Sequence, residues 1–145
     1  MDNRRGAVSF RIEGTPIAQP RHRASCRGGF AKLYLPKDHG IHAWKDAIAS
    51  VAIDALESGG PFEGPVKVDL LFAFKARTRR ECAQYRMSKP DIDNLAKAAL
   101  DALTDSGAWQ DDSQVVQMHL AKMYAASPFM QVRIEALDFN AVATP

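Results

Sequence analysis

The segment "VKVDLLFAF", residues 66–74, constrains the fold of this chain more than any other. Apolar side chains recur in it at every second position, which is the pattern of a β-strand with one buried face. The residues predicted to lie on that face are Val66, Val68, Leu70, Phe72 and Phe74. A face of this kind has to be covered by a second layer, so the flanking segments are expected to supply helices.

Two segments have apolar residues at helical spacing. The first predicted helix runs from about Gly40 to Glu57 and is ended by the glycines and prolines of "SGGPFEGP". The second starts near Asp91–Asn94, and Gly107 stands where a left-handed C-terminal cap belongs. Its predicted apolar stripe consists of Leu95, Ala99, Ala102 and Leu103.

Three further segments alternate as strands do. "AVSFRIEG" is predicted to be the first strand, and "VVQMHLAKMYA" and "MQVRIEAL" the last two, joined through "ASPF" as a hairpin. Most of "TPIAQPRHRASCRGGFAKLYLP" is expected to be an irregular basic loop because of its prolines and its Gly-Gly pair.

The resulting order, β–α–β–α–β–β, predicts an α+β fold: a single two-layer domain with a mixed sheet of about four strands and two main helices. The length of 145 residues fits one domain over residues 1–145, with 2–7 and 139–145 as loose termini. No signal-peptide core or membrane span is visible, so a cytoplasmic location without membrane contact is expected. Two distant cysteines indicate neither a zinc site nor a disulfide framework.

The charges are segregated along the chain. Residues 75–89 hold six Lys/Arg against one acidic residue, whereas from Pro90 to the end three Lys/Arg stand against eight Asp/Glu. Basic segments beside an acidic cluster suit a polyanionic substrate that is also handled by a metal ion. The alternative, that the basic residues only keep a loop solvated, stays open.

The acidic cluster begins with Asp91 and Asp93, directly after Pro90 at the predicted strand-to-helix entrance. An aspartate there is also a common helix N-cap, which is the structural alternative for either residue. A third carboxylate comes from "WQDDSQV", where a turn role is equally open. The intervening helix is about 20 Å long, so Asp112 reaches Asp93 only if the chain doubles back.

Three carboxylates without His or Cys are oxygen ligands of the kind that Mg²⁺ or Mn²⁺ prefers. Such ligands recur at phosphoryl-transfer sites, where metal ions activate water and neutralise charge. Lys97 follows Asp93 by one helical turn and is placed to hold a scissile phosphate or the attacking water, or else to form a helix-stabilising pair with Asp93.

The string "DIDNLAKAALDALTDSGAWQDDSQVV" closely resembles the signature of the RusA family of Holliday-junction resolvases, with the pattern D-x-D-N-x-x-K-x-x-x-D-x-L followed by G-x-W-x-D-D-x-Q-V. Weaker similarity extends to "IEGTPIAQPRHR". The resemblance implies a hydrolase, a crossover junction endodeoxyribonuclease of bacteria or phages, that resolves four-way DNA by paired nicks in recombination and repair.

The resemblance also implies roles for individual residues. The metal-binding aspartates fall on Asp91, Asp93 and Asp112, with Mg²⁺ as the cofactor and Mn²⁺ as a substitute, and the catalytic lysine falls on Lys97. Asp111 is interpreted as a turn residue. Branched DNA and a second copy of the chain, forming a homodimer, are the expected partners, since a two-fold substrate suits a two-fold protein. No small-molecule cofactor is expected.

Basic residues from two segments are candidates for contacts with the DNA phosphates. They are Arg21, Arg23, Arg27, Arg77, Arg79, Arg80, Arg86 and Lys89. Packing is the favoured interpretation of Tyr85 and Phe30, with stacking on an unpaired base as the alternative. Two other functions remain open: a non-catalytic junction-binding or regulatory protein of a prophage, and a Mg²⁺-dependent enzyme that acts on small phosphate esters.

Overall fold

The computed structural model describes residues 6–20, 23–25, 32–34 and 40–141, and for the two short ranges it describes the backbone alone. In this part of the chain, two helices and six strands form a single α+β arrangement. The elements are β1 (Ala7–Glu13), β2 (Arg23–Ser25), β3 (Lys32–Tyr34), α1 (Ile41–Leu56), β4 (Val66–Lys75), α2 (Ile92–Asp105), β5 (Val115–Ala125) and β6 (Phe129–Ala136). Single turns of 3-10 helix lie at Arg79–Glu81 and Asp112–Gln114. The predicted fold class is confirmed.

Four strands form the main sheet in the order β1-β6-β4-β5. β6 lies between β1 and β4 and is antiparallel to both, whereas β5 runs parallel to β4. The sheet is therefore mixed, as predicted. Because β4 and β5 are parallel neighbours, the chain between them has to return along the sheet, and α2 makes that return.

The predicted inward face of β4 is the centre of the core. Val66, Val68 and Phe72 have no exposed surface, and Leu70 and Phe74 are nearly as well buried. α1 and α2 contact each other, and each packs on a strand of the sheet. α2 buries the predicted stripe and two further alanines, Ala96 and Ala98. Small side chains on α2 allow its backbone to approach the sheet closely.

The predicted hairpin between the last two strands is wrong. β5 and β6 are separated by β4, so the short connection through Ser127 crosses the end of β4 instead of turning back beside β5. Alternation identified both strands but carries no information on which strand pairs with which. The pairing depends on the βαβ crossover, which places β5 on the far side of β4.

Two smaller expectations also need correction. The segment expected to be an irregular loop contains β2 and β3, which pair antiparallel through Arg23 and Tyr34 at one end. Three-residue strands are too short to show a period. In addition, Ala7 pairs with Glu135 at the start of β1, so it belongs to the sheet and not to a loose terminus.

The end of α2 forms as predicted. Gly107 has a φ of 85°, and a side chain there would meet no atom within 4 Å, so the left-handed backbone and not the surrounding space favours glycine. In the described part of the chain, none of the helices has the length and apolar character needed to cross a membrane.

Candidate active site

The segment that links β4 to α2 folds along the end of β5. The backbone N–H of Ala83 donates to Tyr124 O at 2.8 Å, and the N–H of Arg86 donates to Lys122 O at 3.1 Å. The Tyr124 N–H in turn donates to Gln84 O at 2.9 Å. Residues 83–86 therefore cover the outer edge of this end of β5 and lead the chain towards the start of α2.

Two cationic side chains hold the last residues before α2. The Lys122 Nζ donates to Ser88 O and to Pro90 O, both at 2.8 Å. The Arg86 guanidinium donates to Lys89 O and lies over the rings of Phe74 and Tyr124, 4.4 and 5.4 Å from their centroids. Charged donors make the stronger hydrogen bonds of a protein, so these contacts fix the carbonyls of residues 88–90.

The sequence did not predict either of these roles. The sequence predicts that Arg86 contacts DNA phosphates, but its guanidinium binds Lys89 O and two aromatic rings of the protein itself. Lys122 was assigned no role at all. The sequence held a signal for Lys122, because this lysine falls at alternate positions with Met118, Leu120 and Tyr124. The structure pairs it in register with Phe72, on the face of the sheet that carries the core. A lysine at an apolar strand position indicates an internal partner for its ammonium group.

Asp91 and Asp93 project from the start of α2. Asp91 occupies the N-cap position with an extended backbone, yet its side chain makes no capping hydrogen bond. The Lys89 Nζ lies 3.6 Å from the Asp91 carboxylate, and both groups are well exposed. Asp93 is exposed in the first turn. The carboxylate of Asp91 is therefore not used for capping, which was the structural alternative for this residue.

Lys97 is exposed on the next turn of α2. Among the salt bridges of the described residues, none joins Lys97 to Asp93. The alternative role for Lys97 as the partner of a helix-stabilising pair is thus not seen. Asp101, in contrast, is committed to the fold, since Lys45 of α1 lies 3.5 Å from its carboxylate.

Asp111 and Gln114 build the turn that precedes β5. The Ser113 hydroxyl donates to the Asp111 carboxylate at 3.0 Å, and this hydrogen bond lowers the pKa of Asp111. The Gln114 side chain accepts from the Asp111 N–H at 3.2 Å and donates to the carbonyls of Phe62 and Gly64 at 3.0 Å each. The turn interpretation of Asp111 is supported, and Gln114 has a structural role that the sequence did not indicate.

Asp112 is exposed in the same turn, at the opposite end of α2 from Asp91 and Asp93. The 14 residues of α2 give a separation of about 20 Å along the helix axis. The register of the strands also places the two ends apart, because β5 begins beside Val66 whereas Pro90 is held at the level of Phe72. The chain doubles back only after Asp112, in β5.

The three aspartates are consequently not brought together within one chain. Across residues 6–20 and 40–141, no group of three or more His, Cys, Asp or Glu side chains is arranged to hold a metal ion. A single copy offers the pair Asp91 and Asp93 at one end of α2 and Asp112 at the other. One chain therefore does not form the predicted three-carboxylate site by itself.

Several of the predicted DNA-contacting residues lie at the same end of the sheet as Asp91. Arg79 and Arg80 are exposed in the 3-10 turn that follows β4, and Lys89 is exposed next to Asp91. Arg77 is bound to Glu81 at 2.8 Å, a hydrogen bond that raises the pKa of the Arg77 guanidinium and lowers the pKa of the Glu81 carboxyl.

The early basic segment also starts here. The Gln19 N–H donates to Asn94 O at 2.9 Å, so the chain leaves the start of α2 as it enters the segment that contains Arg21, Arg23 and Arg27. Arg21, Arg27 and Phe30 lie outside the described residues, and for Arg23 only the backbone is described. Tyr85 is 79% exposed, so the favoured packing role for this side chain is wrong.

The arrangement defines a class of protein. It is a small α+β domain that presents two aspartates and a lysine at one helix start, beside exposed arginines. Clustered carboxylates next to cations are typical of proteins that handle phosphate esters with the help of a metal ion.

The comparison with family models identifies the family. The model described as Endodeoxyribonuclease RusA matches residues 13–135, which is most of the chain. The chain therefore belongs to the RusA endodeoxyribonuclease family. The match includes α1, α2, the turn at Asp112, β4, β5 and all of β6 except its last residue, whereas only the last residue of β1 falls within it.

Individual relatives agree with this assignment. The chain is 30% identical over 142 residues to the uncharacterized protein YqaN of Bacillus subtilis, across 90% of this chain and 97% of that protein. It is 36% identical over 81 residues to the crossover junction endodeoxyribonuclease RusA of Escherichia coli K12, which is 56% of this chain and 58% of the relative. It is 43% identical over 56 residues, 39% of this chain and 47% of the relative, to the nuclease of the same name from Enterobacteria phage 82. The alignments with the two named nucleases thus span roughly half of each relative.

Proposed function

We propose that the protein is a structure-selective endonuclease that resolves four-way DNA junctions. The observation that carries this proposal is the exposed pair Asp91 and Asp93, whose preceding backbone is held by Arg86 and Lys122. The names of the two nuclease relatives support the substrate.

Asp91 and Asp93 would hold a divalent cation, Mg²⁺ or in its place Mn²⁺. Two carboxylates from one chain fit the preference of Mg²⁺ for a few protein oxygens and several waters or phosphate oxygens. When bound, such an ion supplies charge neutralisation and an acidified water. A third carboxylate, Asp112, would have to come from elsewhere, because it lies about 20 Å away along α2.

The protein's own cations bind and orient the DNA. Lys97, exposed one turn after Asp93, would contact the phosphate to be cut and stabilise the negative charge that develops on its oxygens. Arg79, Arg80 and Lys89 would contact neighbouring phosphates and hold the strand in register without reading its bases. The nicks would leave 5′-phosphate and 3′-hydroxyl ends.

Two nicks placed symmetrically across a junction require two sites related by a two-fold axis, so the functional unit would be a homodimer. In the same proposal, the protein acts in recombination and repair, in the cytoplasm of a bacterium or of a phage-infected cell.

Cleavage of a synthetic four-way junction, compared with linear duplex, tests the proposed function. Wild-type protein with Mg²⁺ should nick the junction, and EDTA should abolish nicking. Asp93→Asn should bind the junction with unchanged affinity and lose at least about 100-fold in nicking rate, because a neutral amide is a weaker ligand for a hard cation. Asp105→Asn, an exposed aspartate at the other end of α2, is the matched control and should cut normally.

The outcomes separate the alternatives. Nicking that survives EDTA, or an Asp93→Asn protein as active as wild type, contradicts the proposal. Binding without cutting by the wild type favours a junction-binding or regulatory protein. Hydrolysis of p-nitrophenyl phosphate with no action on junctions favours an enzyme for small phosphate esters.

A further inference from the structure

We propose that Tyr85, together with Met87, stacks on an unpaired base at the branch point of a DNA junction and so makes the protein prefer branched DNA to linear duplex. This stacking role deepens the proposed function and rests on it for the kind of DNA that is bound. The contact itself can be measured in EDTA, without any cleavage.

Two large apolar side chains stand exposed just before the start of α2. Tyr85 retains 79% and Met87 96% of their surface, more than any other large apolar residue in the described part of the chain. A single exposed apolar residue is ordinary, but two of them within three residues, directly before the aspartates of the candidate site, form a small apolar surface. A ligand with an apolar face would cover this surface.

The backbone holds Tyr85 in a fixed position. Tyr85 forms an antiparallel bridge with Met123 of β5, and the two hydrogen bonds that flank this bridge are 3.1 and 2.9 Å long. A ring on a loose loop would lose conformational entropy when it stacked on a base, whereas a ring on a paired segment has already lost most of it. The exposed ring of Tyr85 therefore belongs to an ordered platform.

The side chains of Tyr85 and Arg86 point to opposite sides of this segment, because consecutive residues of an extended chain alternate. The Arg86 guanidinium lies over the rings of Phe74 and Tyr124, on the side of the sheet that carries the core. Tyr85 is directed to the other side, together with Met123, its partner in the bridge. The same segment is thus anchored by Arg86 and presents Tyr85 outward.

The chain enters this segment through a strained residue. Ala83 has a φ of 70°, a left-handed conformation that residues other than glycine rarely adopt. Its N–H donates to Tyr124 O at 2.8 Å, so the chain passes in this conformation from the 3-10 turn Arg79–Glu81 to the edge of β5. Backbone strain that the surrounding structure maintains is concentrated at functional sites, and here it lies two residues before Tyr85.

Tyr85 is close enough to the candidate site to contact the same junction. Six residues separate Tyr85 from Asp91, which is at most about 20 Å of extended chain. The distance is shorter than this limit, because the Arg86 guanidinium binds Lys89 O and so draws the two ends of this segment together. A base on the Tyr85 ring therefore lies within a few nucleotides of a phosphate at Asp91 and Asp93.

Cations flank the two apolar side chains. Arg79 and Arg80 precede them and Lys89 follows them, and all three cations are exposed. Residues 82–90 contain no acidic side chain. Aromatic side chains among cations are typical of surfaces for unpaired nucleotides, because the base stacks on the ring while the cations contact the phosphates on either side. Charge complementarity therefore favours nucleic acid as the ligand of this surface.

Such a platform distinguishes a junction from a duplex for a physical reason. Within a duplex, neighbouring base pairs cover both faces of every base, so a side chain gains a stacking contact only after the base has been unstacked. Stacking between arms is interrupted at a branch point, and a base there leaves the stack at a lower cost. Arginines contact the phosphates of both forms alike. Tyr85 would thus supply selectivity, and the cations would supply affinity.

Photocross-linking tests the contact directly. 5-Iodouracil is placed at the branch point of a synthetic four-way junction, the complex formed in EDTA is irradiated, and mass spectrometry identifies the cross-linked residue. The expected cross-link joins the branch-point base to Tyr85, and it should be absent from a linear duplex of the same sequence. Cross-links only to residues outside 85–87, or equal yields with junction and duplex, would overturn the inference.

Binding selectivity tests the consequence. The ratio of the duplex Kd to the junction Kd is measured in EDTA, and Tyr85→Ala should lower it about 10- to 100-fold through weaker junction binding, with duplex affinity unchanged. Tyr85→Phe keeps the ring and should keep the selectivity, and Met87→Ala should lose less than Tyr85→Ala. Ile53→Ala is the matched control, because Ile53 is an exposed apolar residue on α1; its ratio should equal that of the wild type.

The results distinguish this inference from the proposed function. If the wild type cuts no junction with Mg²⁺ but shows the Tyr85 cross-link and the selectivity that Tyr85→Ala loses, the nuclease proposal fails and the stacking role stands. If the wild type cuts junctions and Tyr85→Ala keeps the wild-type selectivity, only the stacking role fails. A Tyr85→Ala protein that changes its oligomeric state in sedimentation, with selectivity unchanged, would show that protein covers the ring and would also overturn the inference.

Discussion

At the scale of single residues, the charged side chains are of two kinds. Some are exposed where they could contact metal or DNA, and others hold the backbone of the candidate site in place. Asp91, Asp93 and Lys97 are exposed, and the Asp91 side chain makes no capping hydrogen bond in α2. Arg86 and Lys122 instead use their charges on backbone carbonyls. The sequence predicted the first group from spacing and resemblance, but both groups consist of the same residue types, and only burial and contacts distinguish them.

Removal of the Lys122 ammonium group tests this positioning role. Lys122→Met should lower the nicking rate about 10- to 100-fold, since small displacements of catalytic groups cost rate steeply. Junction affinity should stay within about two-fold, and the free energy of unfolding should fall by about 1–3 kcal/mol through the lost hydrogen bonds. Rates from single-turnover cleavage and affinities from gel shifts separate the effects.

Lys67→Met on the neighbouring strand is the matched control, because its salt bridge of 4.0 Å to Asp69 is long and partly exposed. Its nicking rate should equal that of the wild type. Lys122→Arg, which keeps a charged donor, should recover part of the lost rate. Equal losses of binding and cutting in Lys122→Met would instead indicate general damage to the DNA-binding surface.

At the scale of elements, the 3-10 turn Arg79–Glu81 illustrates how basic residues divide into two kinds. Arg77 is engaged by Glu81, whereas Arg79 and Arg80 are exposed. A run of arginines in the sequence predicts phosphate contacts for all of them alike. The local fold places Arg77 in a salt bridge and leaves Arg79 and Arg80 exposed, where they can contact DNA phosphates.

The double variant Arg79→Ala/Arg80→Ala should weaken junction binding and reduce the slope of log affinity against log salt by about two units, since each lost phosphate contact removes close to one. Arg77→Ala is the control, and it should change the slope less because its guanidinium is engaged with Glu81. Affinities measured over a range of NaCl concentrations give both slopes. An unchanged slope for the double variant would indicate that the arginines of this turn only keep the loop solvated and do not contact phosphates.

At the scale of the whole molecule, the two-fold symmetry of the proposed homodimer would determine how many strands are cut. When tagged wild-type and Asp93→Asn chains are mixed at equal concentration and exchange freely, about one quarter of the dimers are wholly wild type, and half are mixed. Complete resolution by two nicks should therefore fall to about one quarter, with singly nicked junctions accumulating from mixed dimers.

Native and denaturing gels distinguish the two products of this mixture. The matched control is wild type mixed with Asp105→Asn, which should resolve junctions at the undiluted rate. If complete resolution falls only to one half, each chain cuts independently of a partner, and the dimer has no part in the paired nicks.

The sequence alone determined the two helices and the four strands of the main sheet, and it indicated the types of residue at the candidate site. Alternation marked β4 without ambiguity because a period of two has no other structural cause, and helical spacing with Gly107 marked α2 and its end. The signature string indicated Asp91, Asp93, Lys97 and Asp112. These features are local in the chain, and local patterns are what a sequence records directly.

Only the tertiary structure decided which elements are neighbours. It placed β4 between β5 and β6, committed Arg86 and Lys122 to the backbone before α2, and set Asp112 at the far end of the helix from Asp91. Pairing between distant strands depends on how the whole core is covered, and no residue pattern within a strand encodes it. The separation of the aspartates is a consequence of that pairing.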